Sequence, residues 1–318
     1  MIVHDRLQNK VAGSDLTLPL CAVLSAVLWW WPQQQFSVRS ALGFVLCSLT
    51  TYVVMETNAQ QHLIRIRTRM MSCVWMVLSA SLSFMHPLST PIVAAAFLSI
   101  SYLLLFRCYQ LSRPEALVFH AFLMLGMGSF CAPVMLLMAV PFYFYIIGFL
   151  RCMSWRTFWA GMLGLVAPYW CYAVWCFLTG NVDALLLQLR QMAVIEVPSW
   201  QALVAMPFSW QVSAAVIGLM SLVGLLHYLR NNYDDKIRVR MMLYIYVVQT
   251  LLLMAFLLLQ PSHYQTTMAL IVVSASPLIA HYFSLTGSIF SNLFFVLSLL
   301  LTAAVATLNL WMTSFSIW

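Results

Sequence analysis

Runs of about 20 mainly apolar residues recur along the chain, and short segments between them carry most of its polar residues. A run of that length crosses the hydrocarbon core of a bilayer as an α-helix. The pattern predicts eleven transmembrane helices, over 14–32, 40–58, 70–86, 91–107, 115–131, 133–150, 157–178, 211–229, 241–260, 264–283 and 291–312. We therefore expect an all-α polytopic integral membrane protein, with 1–318 forming a single transmembrane domain and no separate soluble domain.

One predicted loop, 179–210, is longer than the others and contains apolar residues at helical spacing. Asn181 is a good N-cap residue, and Asp183 follows in the first turn. Asp183 and Arg190 are seven positions apart and share a polar face. The loop therefore predicts an amphipathic helix over 182–193 that lies on the outer leaflet.

Composition supports a membrane protein. Hydrophobic residues make up 63% of the 318 residues and charged residues 7%, and the mean hydropathy is +0.91. Soluble domains are about 45–50% apolar and about 25% charged. The chain cannot cover this much apolar surface in water, which excludes a soluble globular protein and a disordered one.

The net charge of +7 matters through its distribution, because basic residues favour the cytoplasmic side of a membrane. With the N-terminus in the cytoplasm and the C-terminus outside, the outer segments hold only Arg39 and Arg190. The inner segments hold the other basic residues: Arg6, Lys10, Arg65, Arg67, Arg69, Arg107, Arg113, Arg151, Arg156, Arg230, Lys236, Arg238 and Arg240. There is no long basic run and no Gly-rich phosphate loop, so we expect no nucleic-acid partner.

Metal and cofactor chemistry is not indicated. The eight cysteines include no CxxC pair, and no two histidines lie within five positions of each other. Metal sites need such ligands in clusters. We therefore expect no metal and no cofactor.

A repeated phrase enters two predicted helices from the same side. Residues 65–71 read RIRTRMM and residues 236–242 read KIRVRMM. As a parallel internal repeat, Arg65, Arg67, Arg69, Lys236, Arg238 and Arg240 would bind lipid phosphates. The alternative is that inner loops need arginines and that two of them are similar by chance.

A second set of polar residues falls in the predicted outer loops. Asp183, Glu196 and His263 are candidate catalytic residues, because carboxylates and histidine supply general bases. Candidates for binding substrate or phosphate are Arg39, Arg190 and His86. The alternative is that these residues are interfacial polar groups and loop punctuation. Glu56, at the inner end of the second span, is expected to pair with the arginines at 65–69.

Several phrases carry a resemblance: His86-Pro87, 125–133 (LGMGSFCAP), 163–170 (LGLVAPYW), 260–264 (QPSHY) and 276–281 (SPLIAH). Together they resemble an uncharacterised family of bacterial polytopic inner-membrane proteins, over most of the chain. More distantly, the span number and the Gly/Pro rhythm resemble multi-spanning glycosyltransferases that use polyprenyl-phosphate sugars. Those enzymes carry an acidic catalytic residue in the first outer loop. Here that loop, 33–40, has none. A glycosyltransferase-like enzyme would then use Asp183 or Glu196, and the alternative is an inactive relative that has lost catalysis.

The sequence thus predicts a multi-pass protein of the bacterial inner (cytoplasmic) membrane in envelope biogenesis, handling a lipid-linked substrate at the outer face. Membrane lipids, among them a polyprenyl-phosphate-linked substrate, are the expected partners. A transporter or flippase is one alternative, and a non-catalytic membrane scaffold is another.

Overall fold

The structure is a computed structural model that describes residues 6–31, 37–183, 186–188 and 200–315. The described residues form helices and no strand, which confirms the all-α prediction. The α-helices are α1 Leu7–Gly13, α2 Thr17–Trp30, α3 Val38–Gln61, α4 Met70–Ala80, α5 Thr90–Phe106, α6 Glu115–Ser129, α7 Val134–Leu137, α8 Ala139–Gly148, α9 Trp155–Leu178, α10 Trp200–Val204, α11 Phe208–Asn231, α12 Ile237–Leu259, α13 Tyr264–Leu285 and α14 Ile289–Phe315. Short 3-10 turns lie at Ser83–Met85, Asn232–Asp234 and Pro261–His263.

Local sequence sets several helix ends. The Ser154 hydroxyl accepts a hydrogen bond from the Thr157 amide at 3.1 Å and so caps α9. Pro91 lies in the first turn of α5, where its missing N–H costs nothing. At the end of α3, His62 adopts a left-handed backbone with φ 51°, and its amide bonds to the Asn58 carbonyl. These local features fix where α5 and α9 begin and where α3 ends.

Helix α13 is the centre of the bundle, and 89% of its most apolar 18-residue window is buried. It packs against α4, α5, α11 and α12. Close approach to α11 depends on Gly224, where a Cβ would lie 2.9 Å from the Leu278 carbonyl oxygen. Because α13 is surrounded by protein, it accommodates buried polar residues such as Ser274 and His281.

Helix α9 is the peripheral counterpart, with only 17% of its window buried. It packs closely on α6, where a Cβ on Gly126 would lie 2.6 Å from the Leu165 carbonyl oxygen and one on Gly164 would clash with the Phe119 carbonyl. It exposes Trp155 near its start and Trp175 near its end, by 73% and 66%. Twenty residues of helix separate these rings by about 30 Å, which is the thickness of a bilayer core.

The bundle has two chemically different ends. The basic end comprises α1 and the turns 62–69, 107–114, 149–154 and 231–236. The ion pair from Arg65 Nη1 to Asp234 Oδ2, at 3.1 Å, joins two of these turns. The aromatic end lies opposite: there Trp29 stacks on His86 at 4.5 Å and Trp210 stacks on Tyr264 at 4.8 Å between ring centroids.

Six of the described helices are long and apolar enough to cross a membrane: α3, α9, α11, α12, α13 and α14. A seventh is added if α1 and α2, which meet at 96°, count as one broken span. Four predicted spans correspond to the shorter segments 70–80, 90–106, 115–129 and 134–148. At 1.5 Å per residue these segments are about 16–26 Å long, less than the bilayer core. Helix α4 is almost wholly buried in protein, so it needs no full crossing of lipid.

The predicted interfacial helix 182–193 falls largely outside the described residues. Residues 182–183 and 186–188 are helical. Gly180 ends α9 with φ +69°, a conformation that glycine adopts without strain.

Candidate functional site

The two arginine phrases of the repeat come together at the basic end. The first phrase pairs with the turn before the second through Arg65 and Asp234. The second phrase reaches back, because Arg238 Nη2 donates a hydrogen bond to Gln61 Oε1 at 2.6 Å. The Arg238 guanidinium also lies 5.7 Å from the centroid of the Tyr109 ring, in cation–π geometry. The two turns therefore form one continuous surface.

This surface presents positive charge to solvent. Five of the six phrase residues are exposed and Arg240 is half-buried. Arg67 and Lys236 make no side-chain hydrogen bond or ion pair with any other described residue. They are therefore available to an anion, and exposed guanidinium and ammonium groups are the usual protein ligands of phosphate.

Glu56 has a different partner from the one expected. Gln60, one turn later on α3, donates a hydrogen bond from Nε2 to Glu56 Oε1. The Oε1 of Gln60 accepts a bond from Arg107 Nε at 2.7 Å. Within the described residues Glu56 forms no ion pair with the arginines at 65–69, so the expected pairing is wrong. The physical reason is reach: the chain turns at His62 and carries those arginines toward Asp234.

A buried Asp–His pair lies beneath the charged surface. His281 Nε2 and Asp235 Oδ2 are 3.0 Å apart, and the side chains are 2% and 3% exposed. Asp235 follows the 3-10 turn between α11 and α12, and His281 lies in the last two turns of α13. Since Nε2 donates to the carboxylate, the other ring nitrogen, Nδ1, is left, and it is buried without a hydrogen-bond partner in the described protein.

A second histidine connects this pair to the surface. His227 on α11 has its ring centroid 6.2 Å from that of His281. The Asn231 amide donates to His227 Nδ1 at 3.0 Å. His227 also lines a surface groove of about 510 Å³ together with Val223, Leu226, Arg230 and Asn231. Asp235, His281 and His227 thus form a polar array from the interior to this groove.

At the aromatic end, the predicted substrate-binding residues Arg39 and His86 are close together but engaged in the fold. Arg39 Nε donates to the Leu88 carbonyl at 3.1 Å, and the Leu88 amide donates to the Arg39 carbonyl at 2.8 Å. His86 Nε2 donates to the Ala80 carbonyl at 2.9 Å. Burial lowers the pKa of His86, in the segment connecting α4 and α5, to about 4. Both side chains fasten α3 to this connection.

The predicted catalytic residues are not brought together where the structure describes them. Asp183 is exposed just beyond α9, whose closest packing partner is α6. His263 lies in the 3-10 turn before α13, with its ring stacked on Phe256 at 6.3 Å. No hydrogen bond or ion pair joins Asp183 to His263 in the described part of the chain. Glu196 and Arg190 lie outside the described residues, and with them the rest of this prediction.

Sequence reasoning missed Asp235, His281 and His227. Asp235 was not among the candidate residues, and the histidines were considered only for metal-ligand spacing, in which no two lie within five positions of each other. One signal was available: His227 and His281 both lie within three residues of the inner ends of predicted spans 211–229 and 264–283. That position places both histidines at the same depth as the only Asp-Asp pair in the sequence, Asp234-Asp235.

Among the described residues, no group of three or more His, Cys, Asp or Glu side chains is arranged to hold a metal ion. Comparisons of the chain with known protein families, with curated proteins and with solved structures gave no match. A function is therefore inferred only from the geometry and chemistry of the described residues.

Proposed function

We propose that the protein is a multi-pass protein of the bacterial cytoplasmic membrane that handles a phosphate-bearing, lipid-linked substrate in envelope biogenesis. The basic end faces the cytoplasm and binds the phosphate, and the chain crosses or enters the membrane eleven times. The observation that supports this most directly is the meeting of the two arginine phrases through Arg65–Asp234 and Arg238–Gln61.

The charges are suited to a lipid headgroup. A basic side chain near an anionic membrane surface contributes about 1 kcal/mol. Arg67 and Lys236 are exposed and have no side-chain partner within the described residues. Together they supply about 2 kcal/mol of headgroup binding by the same measure.

A small apolar cleft of about 70 Å³ lies next to the charges. It is lined from α2, α4 and α14, by Cys21, Cys73, Val74, Phe295 and Leu299 among others. The cleft begins beside Met70, the residue that follows Arg69. A volume of about 70 Å³ holds only a few carbon atoms, so a lipid whose phosphate lies on the arginine phrases would keep most of its acyl or prenyl chain in the bilayer.

The binding test is native mass spectrometry of the purified protein titrated with phosphatidic acid, and with phosphatidylcholine as the zwitterionic reference. The double variant Arg67→Gln/Lys236→Gln is expected to bind phosphatidic acid about 30-fold more weakly, the equivalent of about 2 kcal/mol. The control Arg113→Gln/Arg156→Gln removes the same charge from exposed residues near the same end but outside the two arginine phrases, and it is expected to bind normally. Equal losses in both double variants, or no preference for phosphatidic acid, would overturn the proposal.

The orientation has its own test, because the only lysines, Lys10 and Lys236, both lie at the basic end and are exposed. A membrane-impermeant amine reagent is expected to label them in inverted vesicles and not in intact spheroplasts. Labelling in spheroplasts would show that the basic end faces outward.

A second candidate function is lipid flipping, which the polar contacts inside the bundle favour. Tyr102 and Ser274 hydroxyls are 3.0 Å apart, and the Tyr145 hydroxyl donates to Gln249 Oε1 at 2.9 Å. Pro277 lies inside the continuous helix α13, three residues after Ser274, where it removes one backbone hydrogen bond. In proteoliposomes, flipping would make all of a fluorescent phosphatidic acid analogue accessible to dithionite. Protection of half of the analogue, as in protein-free vesicles, would exclude flipping.

The candidate site at the outer face, formed by Asp183, Glu196 and His263 with Arg39, Arg190 and His86, stays a prediction. Of the described residues in it, Arg39 and His86 already serve contacts of the fold. The double variant Asp183→Ala/Glu196→Ala is therefore expected to complement a deletion strain fully if catalysis does not occur there.

A further inference from the structure

We propose that Asp235, His281 and His227 form a proton-transfer chain, which binds a proton inside the basic end and exchanges it with water in the groove beside His227. The proposal goes beyond phosphate binding and does not depend on it. It supplies what the sequence lacked, a buried carboxylate through which a membrane protein could take up protons.

The first step of the chain is the Asp235–His281 pair. The carboxylate accepts the Nε2 proton at 3.0 Å and so fixes the ring in the tautomer with an unprotonated Nδ1. A hydronium ion in the groove gives up its proton to His227 Nδ1 and becomes water, His227 passes its Nε2 proton through a bridging water to His281 Nδ1, and His281 becomes an imidazolium. The adjacent Asp235 carboxylate balances its charge.

The second step is His227, which lies between the buried pair and the groove. Its Nδ1 accepts from the Asn231 amide, so the neutral ring carries its proton on Nε2. The ring centroids of His227 and His281 are 6.2 Å apart, a gap that one bridging water spans. An imidazole passes a proton by gaining one on one nitrogen and losing one from the other. The Asn231 side chain can turn its carbonyl toward Nδ1 when that nitrogen is protonated.

Other charged and titratable groups surround His281. Tyr228 presents its ring perpendicular to His281 at 5.3 Å, and its hydroxyl donates to the Arg240 carbonyl at 3.2 Å. The groups in contact with His281 are Asp235 from the turn and His227 and Tyr228 from α11. Tyr244 and Arg240 of α12 contact Tyr228, Tyr282 contacts His227, and α1, which carries Lys10 and follows Arg6, packs on α13. With Asp235 as the nearest charge, the site holds one added proton without a net excess of buried positive charge.

A purely structural role explains these residues less well. Replacing a buried ion pair with apolar residues is often neutral or stabilising, so such a pair is weak evidence of a stability role. Here the pair also leaves Nδ1 buried and unsatisfied, which costs stability. Ionisable residues buried within membrane-spanning helices mark proton pathways in many membrane proteins.

The test is nitrogen-15 NMR of histidine-labelled protein in nanodiscs. At alkaline pH the His281 spectrum is expected to show a bare Nδ1 and a protonated Nε2. His120 is an internal reference with the opposite pattern, because its Nδ1 donates to the Ala116 carbonyl at 2.6 Å. A protonated Nδ1 on neutral His281 would overturn the first step.

The chain itself is tested by the rate at which the His281 ring proton exchanges with water. Removing a positioned proton carrier is expected to slow this transfer by roughly 10²-fold, so His227→Gln should slow the exchange by that factor. Asn231→Leu, which leaves both histidines in place, should slow it less, and His120→Gln should leave it unchanged. Unchanged exchange in His227→Gln would overturn the proposal. If His227→Gln fails to fold, Asn231→Leu decides: slowing supports the chain, and wild-type exchange overturns it.

Discussion

At the basic end, side chains from distant parts of the chain meet through charges and hydrogen bonds, whereas at the aromatic end ring stacking and backbone hydrogen bonds hold the helices. Arg65–Asp234 and Asp235–His281 represent the first kind of contact. Trp29–His86 and Trp210–Tyr264 represent the second. The basic end therefore holds groups that can change protonation or exchange partners, and the aromatic end holds groups that fix position. We therefore expect proton transfer and anion binding at the basic end.

The largest expected effect separates two neighbouring acids at the basic end. Asp235→Ala leaves His281 buried without its partner, and breaking a buried pair costs about 3–5 kcal/mol. Unfolding by sodium dodecyl sulfate in mixed micelles, followed by tryptophan fluorescence, measures the free energy of unfolding. A loss as small as that of Asp234→Ala would contradict the burial of the pair.

The next effect belongs to the aromatic end and depends on pH. The folded-state pKa of His86 is about 4, below the ordinary value of 6.5. Between these values the unfolded chain binds a proton that the folded protein does not, so stability falls as the pH drops from 6.5 to 4. The loss approaches about 3 kcal/mol near pH 4. His86→Phe, which keeps an aromatic ring against Trp29, should lose part of this acid sensitivity.

The same unfolding measurement at pH 7 and pH 4.5 checks this prediction. His120→Phe is the control, because that histidine is exposed. An identical acid sensitivity in His86→Phe and wild type would show that His86 is protonated without cost.

A smaller effect tests the hydrogen bond at the aromatic end. Tyr264→Phe removes the bond from the buried Tyr264 hydroxyl to the Trp210 carbonyl, which is 2.9 Å long, and keeps the stacked rings. The expected loss is about 1 kcal/mol. Tyr233→Phe, at a 71% exposed residue, is the control and should change stability little. A loss above that of Asp235→Ala would reverse the comparison of the two ends.

The smallest effect concerns the exposed pair at the basic end. Both side chains of Arg65–Asp234 are nearly half exposed, so Asp234→Ala should cost about 0–1 kcal/mol. Salt at about 1 M shortens the screening length to about 3 Å and should abolish this cost. A loss that persists in high salt would show that Asp234 acts through something other than its charge.

The helices could be predicted from the sequence, but the relation between them could not. Apolar runs of sufficient length located every long helix, because lipid demands them. Helix α4 was overestimated, since the apolar residues at its end enter the connection to α5 instead of continuing the helix. The arginine phrases were identified as a candidate site from their similarity alone. That they meet depends on the packing of α13 against several helices, which hydrophobic periodicity does not determine.

The Asp235–His281 pair shows the same limit. The two residues are 46 positions apart, and the sequence around either one does not indicate that they are in contact. The predicted pairing of Glu56 was wrong for a related reason, because the chain turns at His62 and Arg65 pairs with Asp234 instead. Ionisable residues at helix ends can therefore be placed at a depth from sequence, but their partners require the structure.

The two exposed tryptophans of α9 have a consequence for the lipid around the protein. With Trp155 and Trp175 about 30 Å apart along the helix, α9 would match a bilayer of ordinary thickness when each ring lies at a headgroup layer. The shorter helices α4, α5 and α6 do not, and where they meet lipid the hydrophobic mismatch must thin the bilayer locally. A thicker, sterol-rich membrane would increase the mismatch only on the side where these shorter helices meet lipid. The protein is therefore expected to concentrate in thin regions of a bilayer.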